Sequence, residues 1–187
     1  MNVYDFDNTI YRGDSTAGFV LYCWRMRPRS LLNLPRTAAL GLLYALHILP
    51  KLAFKRNLYR MFTYIPDMEK VVASYADSHL DHIKKWYLQQ QEPDDLIISA
   101  SPLFLVSAFA ERIGIRHVIA SNVDIHTGAY DGANCHGEEK VARFRAFCPD
   151  GAISRFYSDS RSDLPLARLA AEAYLVHGDQ LKDWGAR

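Results

Sequence analysis

Three short runs of this sequence carry carboxylates and hydroxyls at spacings that chemistry can use. Asp5-Phe6-Asp7-Asn8-Thr9 sets two acids two residues apart, so in an extended chain they project the same way. Two carboxylates held close raise one another's pKa, and a hard divalent cation relieves that repulsion. Mg²⁺ favours a few carboxylates completed by phosphate oxygens and water. Ser158-Asp159-Ser160-Arg161-Ser162-Asp163 offers a further carboxylate at Asp159. Asp163, four residues on, can add charge or orient water behind a metal. Ser99-Ala100-Ser101-Pro102 adds hydroxyls, and Lys140 a lone ammonium in the first turn or so of a helix after Gly137. A hydroxyl and an ammonium opposite the metal would hold the remaining phosphate oxygens. Such a set equips a site for phosphoryl transfer, where positioning and charge stabilisation do most of the catalysis. A carboxylate can itself attack phosphorus, giving an aspartyl-phosphate.

These residues meet only if the elements carrying them do. Val3-Tyr4-Asp5-Phe6, Leu96–Ser99, His117–Ala120, Ile153–Tyr157 and Ala173–Val176 read as strands. Helices are expected from Pro102 to about Ile113, from Glu138 to about Phe147, and after Asp163; Val123 to Tyr130 reads as a hairpin turning near Thr127-Gly128. Apolar strands alternating with helices predict an α/β fold with a parallel sheet. In such sheets sites form at the carboxyl ends of strands, which is where all three acidic or hydroxyl runs fall. Between the first strand and the second lie about eighty residues with helical periodicity. Pro28, Pro35, Pro50 and Pro66 divide them into short helices. A longer polar helix is expected from Asp67 to about Gln91. The expected organisation is a core of residues 1–12 and 93–187 with a helical cap of residues 13–92.

Composition fits this and excludes other classes. The chain has 187 residues, 49% hydrophobic, with a formal net charge of +1. A near-neutral total argues against a nucleic-acid partner. The total conceals an asymmetry: from Tyr11 to Arg60 nine basic residues face one acid, Asp14, a net +8, which leaves −7 elsewhere. Three separated cysteines, Cys23, Cys135 and Cys148, form no CxxC pair, so neither a disulfide framework nor a zinc site is expected. The N-terminus has no basic region followed by an apolar run. The longest apolar stretch, Thr37 to Pro50, is shorter than the roughly 20 residues that span a bilayer. A cytoplasmic location is expected, with peripheral contact at the inner membrane face left open.

DFDNT, IISAS, the GEEK lysine and YSDSRSD occur in the order seen in the haloacid-dehalogenase-like (HAD) superfamily, and the sequence resembles its phosphoserine-phosphatase-like branch with a helical cap. The resemblance covers nearly the whole chain. It implies a Rossmann-like core and a Mg²⁺-dependent phosphatase. It makes Asp5 the nucleophile and Asp7 the general acid and then base. Ser99, with nearby backbone amides at Ala100 and Asn8, would hold the phosphate, with Ser101 as the second hydroxyl. Lys140 would neutralise charge. Asp5, Asp159 and the carbonyl of Asp7 would bind the metal, with Asp163 in support. Asp14 stands where phosphoserine phosphatases carry an acid that contacts the substrate amine, and Arg12 lies beside it. Two departures stand out. His136 occupies the usual place of the lysine, with Lys140 four residues later on the same helix face. Asn8 stands where the superfamily often has Gly, and Asn tolerates unusual backbone angles.

Structural roles compete for several of these positions. Ser101 reads as the N-cap of the helix at Pro102, and Asp163 as the N-cap before Leu164-Pro165. His79 and His82 read as an exposed polar face, and Cys135 as a small buried residue. The expected substrate is a small phosphorylated metabolite. The segment Phe19 to Phe62, with HGEEKV and YSDS, also resembles phosphatidylglycerophosphate phosphatases, so a lipid phosphate is the second expectation. A HAD-fold module that binds phosphate without turnover is the third. The sequence assigns no oligomeric state.

Overall fold

In the computed structural model, which describes residues 1–185, six strands form one sheet. They are β1 (Val3–Tyr4), β2 (Leu96–Pro102), β3 (His117–Ser121), β4 (Ile153–Ser158), β5 (Ala170–His177) and β6 (Gln180–Asp183). Their order is β3-β2-β1-β4-β5-β6, with the first five parallel and β6 antiparallel to β5. The fold is thus α/β with a mostly parallel sheet, as the strand and helix pattern predicts. Residues 186 and 187 of the expected core segment lie outside the described residues.

Both faces of the sheet are covered, so its central strands are apolar on both sides. Val3 joins Leu96, Ile98 and Phe156 in one buried cluster, while Tyr4 joins Ile97 and Tyr157 in the other. That is the strand alternation of period two. Tyr4, Tyr157 and Tyr174 are in register across β1, β4 and β5. Their rings stack with centroids 4.6 Å and 5.1 Å apart.

Five helices lie between β1 and β2: α1 (Ser15–Met26), α2 (Leu34–Ala45), α3 (Lys51–Tyr59), α4 (Met68–Ser78) and α5 (Lys85–Leu88). A 3-10 turn, Pro28–Asn33, joins α1 to α2, and another, Arg60–Tyr64, follows α3. The prolines act at helix starts, where a missing N–H costs nothing: Pro28 opens the first turn, Pro35 sits in the first turn of α2 and Pro50 caps α3. The inserted helices share a core with the sheet. Phe19 of α1 meets Tyr75 of α4 at 5.3 Å, and Tyr75 meets Phe109 at 5.9 Å. Tyr87 of α5 packs edge-on to Tyr4 at 4.8 Å.

One expectation is overturned. The polar helix expected from Asp67 to Gln91 is broken: α4 ends at Ser78, Leu80–His82 is a 3-10 turn, and Ile83 pairs antiparallel with Tyr11. Nor is it polar, since Met68, Val71, Val72, Tyr75 and Ala76 are buried. The break is tertiary in origin: Ile83 and Lys84 are extended because they bond the loop after β1, with Lys84 N–H donating to Ile10 O at 2.8 Å.

After β2 come α6 (Leu103–Arg112), α7 (Glu138–Phe147) and α8 (Leu164–Ala167). The expected hairpin at 123–130 is present in short form: Val123 pairs antiparallel with Tyr130, Asp131 N–H donates to Asn122 O at 3.0 Å and Asp124 N–H to Ala129 O at 2.8 Å, around a turn that includes Gly128. No helix among the described residues is long and apolar enough to cross a membrane. All three cysteines are free, with Cys23 and Cys135 buried.

Candidate active site

The site begins where β1 ends. Asp5 N–H donates to Tyr157 O at 2.8 Å, extending the sheet by one residue and fixing the buried Asp5 side chain at the strand's carboxyl end. The chain then turns within a few residues. Ile10 and Tyr11 N–H both donate to Phe6 O, and Asn8 N–H donates to Gly13 O at 3.0 Å. Asn8 takes a φ of 57°, in the left-handed region that Gly and Asn enter most readily. Lys84, nearly inaccessible to solvent, pins this loop by donating to Asn8 O at 2.5 Å and Gly178 O at 2.6 Å.

Asp5 Oδ1 accepts from Lys140 Nζ at 2.6 Å and Asp5 Oδ2 from Thr9 Oγ1 at 3.2 Å. Lys140 Nζ also donates to Asp163 Oδ2 at 2.7 Å, and Ser158 Oγ donates to the same oxygen at 2.8 Å. Lys140 lies in the first turn of α7 behind Glu138 and Glu139, the helix end where a cation is least favoured. Its two carboxylate partners, not the helix, hold the ammonium there. Burial disfavours that charge, but Asp5 and Asp163 outweigh it and hold the Lys140 ammonium above the ordinary lysine range. The reverse holds for Asp5. Burial pushes its carboxyl up to about 7, against the pull of Lys140 and with a further push from Asp163.

Asp7 lies on the other side of the loop. Its Oδ1 accepts from Ser15 N–H at 2.6 Å, at the N-terminus of α1, where the helix dipole favours an anion. Its Oδ2 accepts from Ser101 Oγ, which is also bonded to Thr16 Oγ1 at 2.8 Å. Burial and the neighbouring Asp14 charge raise the Asp7 pKa despite these donors. Ser99 is buried, and its Oγ accepts from Ser101 N–H at 3.1 Å. Asp159, half-buried, has its backbone N–H on Thr9 Oγ1 at 2.9 Å. Burial, then the Asp163 charge, raise its pKa.

Asp5, Asp7, Asn8, Ser99, Ala100 and Ser101 all border one cavity of about 480 Å³, together with Lys140, Asp159, Asp163 and Asp14. Two structural readings of these residues are corrected. Neither Ser101 nor Asp163 caps a helix through its side chain: α6 is preceded by Pro102 without a side-chain cap, and α8 starts without a bond from Asp163. Both side chains are engaged within the site instead. Asp14 does cap α1, its Oδ1 accepting from Ala17 N–H at 2.8 Å. Arg12 is not brought to the cavity: its side chain is exposed, and its backbone N–H bonds His82 O at 2.8 Å. His79 and His82 pack on aromatic rings, His79 against Tyr75 at 4.2 Å and His82 against Tyr11 at 5.2 Å.

The sequence reading missed the cavity's outer wall. It comes from α2 and α3: Tyr44, Lys51, Phe54, Lys55 and Leu58, with Tyr59 behind them. Lys55 Nζ donates to Ala100 O at 3.1 Å, inside the phosphate-binding run. Burial, then the Lys51 charge one turn away, lower its pKa. The only available signal was the i, i+4 spacing of Lys51 and Lys55, which Arg56 and Arg60 share. His136 also lines the cavity, its pKa lowered by burial.

A family profile described as haloacid dehalogenase-like hydrolase matches residues 3–168. The chain belongs to that family. Among curated proteins, a histidinol-phosphatase of Neisseria meningitidis is 26% identical over 123 residues, covering 58% of this chain and 55% of that protein. The chain thus spans about half the length of that relative. Among solved structures, a protein of unknown function from Bordetella pertussis superposes with a TM-score of 0.71 at 18% identity, covering 92% of this chain and 87% of that one. A phosphoserine phosphohydrolase-like protein from Francisella tularensis gives 0.56 at 14% identity, covering 92% and 86%. At these identities the two structures speak for the HAD fold alone.

Proposed function

We propose that the protein is a Mg²⁺-dependent phosphomonoesterase working through an aspartyl-phosphate on Asp5. One observation carries the reading: Lys140 Nζ is shared between Asp5 and Asp163 on the wall of a cavity that also presents Asp7, Asp159 and the Ser99–Ser101 run. An Asp5 carboxylate oxygen attacks phosphorus. The bond from phosphorus to the ester oxygen breaks, and Asp7, whose pKa burial raises, gives that oxygen its proton as the general acid. Asp7 then takes a proton from water as the water attacks phosphorus. Inorganic phosphate leaves and the Asp5 carboxylate returns.

The acids fit a divalent cation. Asp7 and Asp159 enter no ion pair among the described residues, yet both face the cavity at a cost that burial imposes on their charges. No ready-made cluster of three or more His, Cys, Asp or Glu ligands exists among the described residues. Mg²⁺ takes one or two carboxylates and completes its shell with water and phosphate oxygens. Asp5, Asp159 and the carbonyl of Asp7 would hold it, with Asp163 in support; bound there, it would neutralise charge on the phosphoryl oxygens. EDTA is expected to stop phosphate release from an aryl phosphate and Mg²⁺ to restore it; turnover that survives EDTA overturns the metal assignment. A proton and the cation compete for Asp5. The Mg²⁺ concentration giving half activity is therefore expected to rise as pH falls below about 7, where Asp5 takes up its proton.

For substrate, we favour a small phosphorylated metabolite carrying a second negative group, because Lys51 and Lys55 add two ammonium groups to the wall facing Ser99–Ser101. Phosphoserine, the family default, has such a group. The exposed apolar end of the α2–α3 wall supports a second reading, a lipid phosphate. In either case Lys55→Met is expected to lower kcat/KM on the anionic substrate by roughly 10–100-fold, the worth of a hydrogen bond to a charged group. An aryl phosphate without a second anion should lose much less. Equal losses on both would assign Lys55 to the reacting phosphate. A cytoplasmic location is part of the same proposal, in keeping with three free cysteines.

A further inference from the structure

The outer face of α2 is built the wrong way round for a helix that ends in water. Positions 35, 39, 42 and 46 repeat at helical spacing, and they are Pro, Ala, Leu and Leu, all exposed. Leu42 is 62% exposed and, at the two ends of the segment, Leu32 is 69% and Ile48 67% exposed. Among the described residues, eight of the fourteen exposed large apolar side chains fall within residues 31–48. Scattered exposed leucines need no explanation, but a concentration of this kind does. The helix is covered on its inner side alone: its main packing partners are α3 and the Pro28–Asn33 turn.

Charge selects the occupant. From residue 15 to residue 66 there are eight Lys and Arg and no acid. Arg27 is neutralised by Asp67, but Arg25, Arg29, Arg36 and Arg60 are exposed and enter no ion pair among the described residues. A second copy docked through this segment would bring unpaired arginines towards their own copies across a two-fold axis, with no acid in the segment to offset the repulsion. An anionic bilayer meets both halves of the pattern, leucines into the acyl boundary and arginines among the headgroups.

We propose that the outer face of the α2–α3 hairpin docks on an anionic lipid surface. The position of the cavity gives this a functional consequence. Tyr44 lines both the active-site cavity and the hollow at the hairpin tip, so docking sets the site's entrance beside the headgroups. This consequence rests on the phosphomonoesterase reading in its second, lipid-phosphate form; the docking itself does not depend on turnover.

The test is flotation of the full chain with vesicles of phosphatidylcholine alone and of equimolar phosphatidylcholine and phosphatidylglycerol, at low and high salt. The wild type is expected to float with the mixed vesicles at low salt and to be released by high salt. The triple variant Leu42→Ser, Leu46→Ser, Ile48→Ser and the triple variant Arg25→Gln, Arg29→Gln, Arg36→Gln should each reduce the bound fraction about tenfold or more, while both keep wild-type aryl phosphate turnover. No flotation at low salt, or flotation that both variants retain, overturns the proposal. So does equal binding to both vesicle types, which removes the anionic lipid. A dimer seen without lipid by sedimentation and dissolved by the leucine variant overturns it in favour of a second copy. An aryl phosphate assay without turnover strikes the phosphatase reading and leaves the flotation result standing, so the two failures are separable.

Discussion

Asp5→Asn is expected to reduce phosphate release from an aryl phosphate by about five orders of magnitude or more, measured against wild type at saturating Mg²⁺. Enzymes accelerate phosphate monoester hydrolysis by up to ~10²¹, and removing a nucleophile forfeits the covalent route entirely. An amide oxygen at the same place is too weak to attack. The substitution keeps side-chain volume, and Lys140 keeps its bond to Asp163, so the loss is chemical. A stability measurement checks this. Asp5 titrates at about 7 in the folded chain against 3.8 as its ordinary value, so between those values the folded chain binds more protons than the unfolded one. The stability this group adds is full below the lower value and lost as pH rises through the upper. Without metal at pH 8 the wild type therefore carries an uncompensated cost that Asp5→Asn does not. The variant is expected to melt no lower than wild type there, and Mg²⁺ should stabilise the wild type more than the variant. Retention of most activity would remove Asp5 from the nucleophile role. Absence of turnover from the wild type itself, on every phosphate ester tried, would leave a phosphate-binding module.

What the sequence made readable was whatever depends on local pattern. The helix from Glu138 to Phe147 lies where its periodicity predicts, and Asn8 occupies the backbone region that an Asn in a Gly-preferring position foretells. Strand ends gather acids because parallel topology brings their carboxyl ends to one rim, which order along the chain is enough to imply. Long-range effects were hidden. Nothing near Ile83 signals that it will pair with Tyr11, yet that pairing breaks the helix expected across it. Lys84 looks like any surface lysine until two carbonyls, Asn8 O after β1 and Gly178 O between β5 and β6, close on its ammonium. β6 is fully exposed and carries no apolar alternation to betray it. Asp163 sits where a cap belongs and Ser101 one residue before such a place, and propensity is right about such positions in isolation. Their side chains are engaged instead by Asp7 and by Lys140, partners tens of residues away. Lys55 shows the same limit, because its reach to Ala100 depends on how the α2–α3 hairpin folds back over the sheet.

Lys140→Met should produce the second large effect and a different signature. Losing a preorganised cation at developing charge costs roughly 10²–10³-fold in kcat. Asp5 and Asp163, both bonded to the one ammonium in a buried site, would then face each other without it. Breaking a buried ion pair from one side costs about 3–5 kcal/mol, so thermal stability should fall, and it should fall most above neutral pH, where Asp5 is ionised. Without Lys140, which pulls the Asp5 carboxyl down, that carboxyl titrates higher still, so the melting difference from wild type should narrow as pH falls towards about 7 and change little below it. Lys140→Arg keeps the charge but brings a planar fork into a place sized for one ammonium at 2.6 Å and 2.7 Å from its partners, so it should not restore activity. Charge balance and chemistry separate in the double variant Lys140→Met, Asp163→Asn. Removing one acid with the cation should recover stability, since the two effects share one network, yet turnover should stay low because nothing neutralises Asp5 and the phosphate during attack. Recovery of activity alongside stability would mean that Lys140 serves only to hold the fold together.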